Sequence, residues 1–175
     1  MIHSTFGVPF FVSNIDSKKI KFKKENFKKT EEWISKTVSS FNFKNTLTED
    51  SEKYLLKKII ENLDELYKKP YEIRIESIWT NKYLNKDYQE PHIHPGSVYS
   101  FIIYKKVGKS KSYFVSPYQD LIISYQVADI FEETKRIECK DNQMIIFPSF
   151  VKHGVSASSN NETIAGNLIF KFKKI

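Results

Sequence analysis

The chain has 175 residues, a formal net charge of +7, 40% apolar and 15% aromatic residues, and one cysteine. That length suits a single domain, residues 1–175, with a real core, and the apolar content excludes a disordered chain. The lone Cys139 excludes an intrachain disulfide framework, no apolar run reaches membrane-span length and no signal peptide opens the chain, so a cytoplasmic protein is expected.

Phe6 to Val12 reads as a short apolar strand, placed at a sheet edge because Pro9 cannot donate to a ladder. Lys18 to Phe41 reads as a helical region of weak period, in which Phe27, Ile34 and Phe41 recur every seven residues. Its paired lysines, interleaved with Phe22 and Phe27, fit a solvated helix face better than a phosphate grip, and nucleic acid is not an expected partner. Thr48 is a good N-cap for a clearer helix with Glu49, Asp50 and Glu52 in its first turn. Leu55, Ile59, Leu63 and Leu66 form its apolar stripe, and Lys68-Lys69-Pro70 ends it.

From Tyr71 the pattern turns to β. Ile73, Ile75, Ser77 and Trp79 share one face of a strand, and Asn81 to Pro91 reads as a polar loop. Strands follow at Tyr99–Lys106, Ser112–Val115, Leu121–Tyr125, Arg136–Cys139, Met144–Phe147 and Thr163–Phe172, with a turn at Asp141-Asn142 and a loop from Ser156 to Asn161. Two front helices and about eight antiparallel strands predict a mainly β fold: a double-stranded β-helix, or jelly roll, with N-terminal helices packed on one sheet.

Three of the four histidines fall in two places, Pro91-His92-Ile93-His94-Pro95 and Phe147-Pro148-Ser149-Phe150-Val151-Lys152-His153-Gly154. On an extended segment His92 and His94 point the same way, and His153 from a later strand can complete one face of a metal site. Two histidines and a carboxylate with open positions mark non-haem Fe(II) oxygenases. Here the pattern is His-x-His…His. A bare His-x-His between prolines is equally a polar loop.

Ile78-Trp79-Thr80-Asn81, Pro91-His92-Ile93-His94-Pro95, Ser100 to Tyr104, Ser112 to Pro117 and the Phe-Pro-Ser-x-x-x-His block at 147–153 together resemble the 2-oxoglutarate-Fe(II) oxygenase family of phages and marine bacteria. Phe6-Gly7-Val8-Pro9-Phe10 is similar to that family's start. The resemblance implies a dioxygenase, hydroxylase-like, with Fe(II) and 2-oxoglutarate as cofactors. It implies His92, His94 and His153 as metal ligands and catalytic residues, Glu90 as the alternative carboxylate, and Asn81 and Tyr104 as hydrogen-bonding partners of 2-oxoglutarate. The substrate is an unspecified small molecule or protein, read by loops 81–90, 126–135 and 156–161. One departure stands out: the family's usual arginine after the distal histidine is missing, and no lysine or arginine occurs between Gly154 and Phe170. Lys105 or Lys106 is the available substitute. Two other readings stay open, a three-histidine dioxygenase that uses no 2-oxoglutarate and a non-catalytic jelly-roll binding module.

Overall fold

Backbone pairing in this chain is almost wholly antiparallel and mostly between strands distant in sequence. The structure is a computed structural model and describes residues 2–5, 7–32, 34–84, 86–108, 112–157 and 161–173. The strands are β1 (Ile2–Thr5), β2 (Val8–Asn14), β3 (Phe22–Lys24), β4 (Lys28–Glu32), β5 (Ser35–Ser39), β6 (Thr46–Leu47), β7 (Tyr71–Tyr83), β8 (Tyr88–His92), β9 (Tyr99–Lys106), β10 (Ser112–Val115), β11 (Thr134–Arg136), β12 (Gln143–Pro148), β13 (His153–Val155) and β14 (Asn161–Phe172). Two helices, α1 (Glu49–Leu63) and α2 (Gln119–Ser124), and a 3-10 turn at Ser17–Lys19 complete the elements.

One sheet runs β1-β2-β12-β9-β14-β7-β5-β8-β13-β10-β11, with β4 attached to β5. It curls into a jelly roll. Phe114 of β10 meets Phe10 of β2, with ring centroids 4.9 Å apart, and both belong to an inner core with Trp79, Ile102, Phe147 and Val151. A second core lies on the other face of β9, β14 and β7, where α1 packs through Leu55, Ile59 and Leu63. All three are fully buried, and each such side chain is worth about 1.5–3 kcal/mol of burial. Thr48 caps α1 through its hydroxyl, which accepts from the Ser51 amide, and Glu49, Asp50 and Glu52 meet the positive end of the helix. Leu66 lies beyond the helix and is exposed.

The region 18–41 is not helical. It forms the 3-10 turn, β3 and the β4–β5 hairpin, so one long N-terminal helix, α1, stands where two were expected. Thr30, Thr37 and Val38 are β-branched, and alternation sends Lys29, Glu31 and Lys36 to one side of the hairpin. Phe27, Ile34 and Phe41 fall outside its strands, so their seven-residue spacing reflects chain reversals. Strand β2 has neighbours on both sides, but the β12 ladder begins at Phe11, so Pro9 sits where β2 is paired only with β1. Phe6 lies outside the described residues.

Leu121–Tyr125 falls on α2 instead of a strand. A short apolar run does not fix its own period, and here Ser116 accepts from Gln119 and Tyr118, which starts a helical turn. Strand β11 spans Thr134–Arg136, so Cys139 follows it, half-buried. The polar loop expected over 81–91 shrinks to residues 84–87, because β7 runs on to Tyr83 and β8 starts at Tyr88. Trp79 does not share a face with Ile73 and Ile75. A bulge opposite Asn167 and Leu168 leaves Glu76 unpaired and reverses the alternation, so Ile73 and Ile75 face the α1 core while Trp79 faces the inner core. Of the expected loop 156–161, residues 158–160 lie outside the described residues.

Candidate metal centre

Strand pairing delivers the three histidines to one point. His92, at the end of β8, and His153, at the start of β13, are direct ladder partners. His94 follows two residues after β8, where its amide donates to the Ser149 carbonyl at 3.1 Å. One ring nitrogen from each of His92, His94 and His153 lies within 4.8 Å of the other two. The ring centroids are 4.4 Å apart for His92 and His153, 5.0 Å for His92 and His94, and 5.1 Å for His94 and His153.

Two of the rings have a fixed tautomer. His153 Nδ1 lies 3.0 Å from the Val151 carbonyl and His92 Nδ1 lies 2.9 Å from the Glu90 carbonyl. A carbonyl only accepts, so each Nδ1 carries the proton and each Nε2 keeps a lone pair for a ligand. Burial keeps the imidazoles neutral. It lowers the pKa of His92, takes His94 to about 4 with help from the His92 charge, and holds His153 well below the usual histidine range. Phe147 and Phe114 pack on His153, at 4.7 and 6.1 Å, and Trp79 packs on His94 at 5.5 Å. Neutral nitrogens, set tautomers and an apolar surround fit a divalent transition metal.

Glu90 is not part of the cluster; it contributes its backbone carbonyl. Asn81 is 6% exposed and borders the site. The Phe41 amide donates to Ser39 Oγ at 3.1 Å, so the Ser39 hydroxyl donates onward to Asn81 Oδ1 at 2.6 Å. That relay turns the Asn81 NH2 group away from Ser39. Tyr104 is buried, and its hydroxyl donates to Ser112 Oγ at 2.8 Å. Lys105 forms an ion pair with Glu162, and Lys106 is exposed at the end of β9.

Two spaces adjoin the cluster. An inner one of about 30 Å³, room for little more than water, is bordered by the three histidines, Asn81, Tyr83, Ser112 and Thr163. An outer cleft of about 570 Å³ opens over His92 and His94 and is walled by the β4–β5 hairpin. Among the described residues no lysine or arginine borders either space, and the charged side chains on the outer cleft, histidines aside, are Glu32 and Glu90.

Two contributors have no signal in the histidine motifs. Gln89 takes the Tyr83 hydroxyl on its Oε1 at 2.7 Å and brings its Nε2 to 3.5 Å from His92 Nε2, too long for a firm bond. Ser39 reaches the site only because 35–39 is a strand.

A jelly roll with three histidines placed so that they could hold one metal ion is an arrangement compatible with a non-haem metal oxygenase. The family described as Putative 2OG-Fe(II) oxygenase matches residues 77–165, just over half of the chain and inclusive of all three histidines, and the chain belongs to that family. It is an oxidoreductase by membership, with Fe(II) and 2-oxoglutarate as cofactors. No curated protein matches the chain. Solved structures of similar fold include a 2OG-Fe(II) oxygenase family oxidoreductase from Burkholderia pseudomallei, at 12% identity over 81% of this chain and 72% of that one, TM-score 0.51. The collagen prolyl hydroxylase of Paramecium Bursaria Chlorella virus-1, in complex with 2OG, is 11% identical over 77% and 78%, TM-score 0.52. HygX from Streptomyces hygroscopicus, with nickel, 2-oxoglutarate and hygromycin B bound, is 8% identical over 92% and 82%, TM-score 0.56. At these identities the likeness is one of fold. No helix among the described residues is long and apolar enough to cross a membrane.

Proposed function

We propose that the chain is an Fe(II)- and 2-oxoglutarate-dependent hydroxylase whose iron ligands are His92, His94 and His153. The observation that carries the reading is the meeting of three ring nitrogens within 4.8 Å. When bound, iron and 2-oxoglutarate supply the oxidation: O2 and 2-oxoglutarate yield CO2 and succinate while a substrate C–H becomes C–OH.

The chain's own part is placement. Glu90 and Val151 carbonyls hold two imidazoles by their Nδ1 protons, so that only Nε2 is offered. Phe114, Phe147 and Trp79 pack against the His153 and His94 rings and hold them in place. Asn81 presents its NH2 to a cosubstrate carboxylate, aligned by Ser39. Tyr104 acts through Ser112, whose hydroxyl it holds at the border of the inner space. With His94 in place of a carboxylate, the ligand set is neutral and leaves iron more net positive charge. That charge attracts the carboxylate of 2-oxoglutarate, in part standing in for the missing arginine.

Anaerobic addition of Fe(II) and 2-oxoglutarate tests the reading. A weak visible charge-transfer band from a bidentate complex is expected. Iron uptake without the band would point to a three-histidine centre that takes no 2-oxoglutarate, and absence of iron uptake would remove the oxygenase reading.

A further inference from the structure

The outer cleft has a charge opposite to that of the protein. The chain carries 28 lysines and arginines against 21 acidic residues, yet the charged groups bordering the cleft, histidines aside, are Glu32 and Glu90. Strand alternation explains the sorting. On the hairpin, Thr30, Glu32, Ser35, Thr37 and Ser39 border the cleft. Lys29 and Glu31 occupy alternate positions and pair with each other at 2.5 Å. Lys82, next to Asn81 on β7, lies over the Phe27 ring, its Nζ 4.5 Å from the centroid, and does not border the cleft. Neither Glu32 nor Glu90 has an ion-pair partner among the described residues.

A second feature also calls for an occupant. Phe41, 54% exposed, stands edge-on to Trp79 at 4.8 Å, and both border the cleft. Unpaired carboxylates beside aromatic surface are the chemistry that receives an ammonium or guanidinium group on an apolar stem.

We infer that the substrate of this centre carries a cationic amine or guanidinium group on an aliphatic stem, held by Glu32 and Glu90 above His92 and His94. The inference deepens the proposed function and rests on it for the chemistry, though not for the binding. A free basic amino acid and a basic residue within a peptide share this chemistry.

Binding is measured by calorimetry, with and without Zn(II) as a redox-inert metal. The probes are Nα-acetyl-lysine amide and Nα-acetyl-arginine amide, each against its neutral counterpart, Nα-acetyl-norleucine amide and Nα-acetyl-citrulline amide. Free lysine and arginine form a second arm that separates the two sources. At least one cationic probe is expected to bind ten times tighter than its neutral partner, the Glu32→Gln/Glu90→Gln double variant to lose that preference, and the Glu32→Gln variant, which touches no residue that positions the metal ligands, to weaken it with metal uptake unchanged. Equal binding of charged and neutral probes, no binding of any probe, or a preference that survives the double variant would overturn the inference. A preference for the cation in a protein that takes up no metal would keep the inference about the cleft and sink the oxygenase reading. Metal uptake with no preference does the reverse.

Discussion

His92 and His153 face each other across one rung of the β8–β13 ladder, ring centroids 4.4 Å apart, each with Nδ1 tied to a backbone carbonyl of its own segment. The rung sets the distance and the carbonyls set the tautomers. His92→Ala and His153→Ala should each abolish Fe(II) or Co(II) uptake, measured by metal analysis and the Co(II) visible spectrum, with the fold kept by circular dichroism. His3→Ala, on β1, should leave uptake unchanged. His94→Asp should preserve or strengthen Fe(II) binding, because a carboxylate there restores the common two-histidine set. Severe loss in that variant would place His94 outside the ligand set.

Among the described residues, Ser39 is the side-chain hydroxyl that donates to the Asn81 oxygen. Ser39→Ala leaves the Asn81 amide free to flip and should weaken 2-oxoglutarate binding about fivefold, the worth of roughly one hydrogen bond. Titration of the charge-transfer band reads this, and metal uptake should not move. Loss of metal instead would mean that Ser39 supports the fold and not the amide.

Gly154 of β13 lies close against Gln89 of β8 and Tyr113 of β10. A Cβ there would meet the Gln89 carbonyl oxygen at 2.7 Å and the Tyr113 ring at 2.8 Å. Gly154→Ala should cost about 1–3 kcal/mol in unfolding free energy and, by forcing the His92–His153 rung apart, lower metal affinity as well. Gly166, whose Cβ would meet the Ser77 carbonyl oxygen at 2.6 Å and the Phe101 ring, should show the stability loss when changed to Ala, with metal affinity much less affected.

The α1 side of the sheet is remote from the metal. Leu55→Ala should cost about 2–5 kcal/mol, read as a lower thermal midpoint, while metal uptake below that midpoint stays at the wild-type level.

The centre was legible because its ligands sit in two short motifs and because β9, β10 and most of β14 have apolar character strong enough to mark them as strands. The wall of the cleft was not. Residues 28–39 are dominated by charge, and a hairpin exposed to solvent on much of its surface shows little hydrophobic alternation to read. The bulge at Glu76 hides from sequence for another reason: one extra residue reverses every facing after it, and no residue type announces it. The sequence alone did suggest the missing arginine, and the geometry adds that neither Lys105 nor Lys106 moves in to replace it.

Strand β5 pairs with the end of β7 through Val38 and Ser39, and with the start of β8 through Ser35 and Lys36. It therefore bridges the short 84–87 connection while lying wholly outside the residues that match the family. In the proposed function the three ligands come from the family stretch, while the cleft over them is walled by that stretch together with a hairpin from outside it. Under the proposed function, changes at Thr30, Glu32 and Ser35, whose side chains border the cleft and do not bond Asn81, can retarget the enzyme with its ligands in place, so these positions are where a new specificity is introduced.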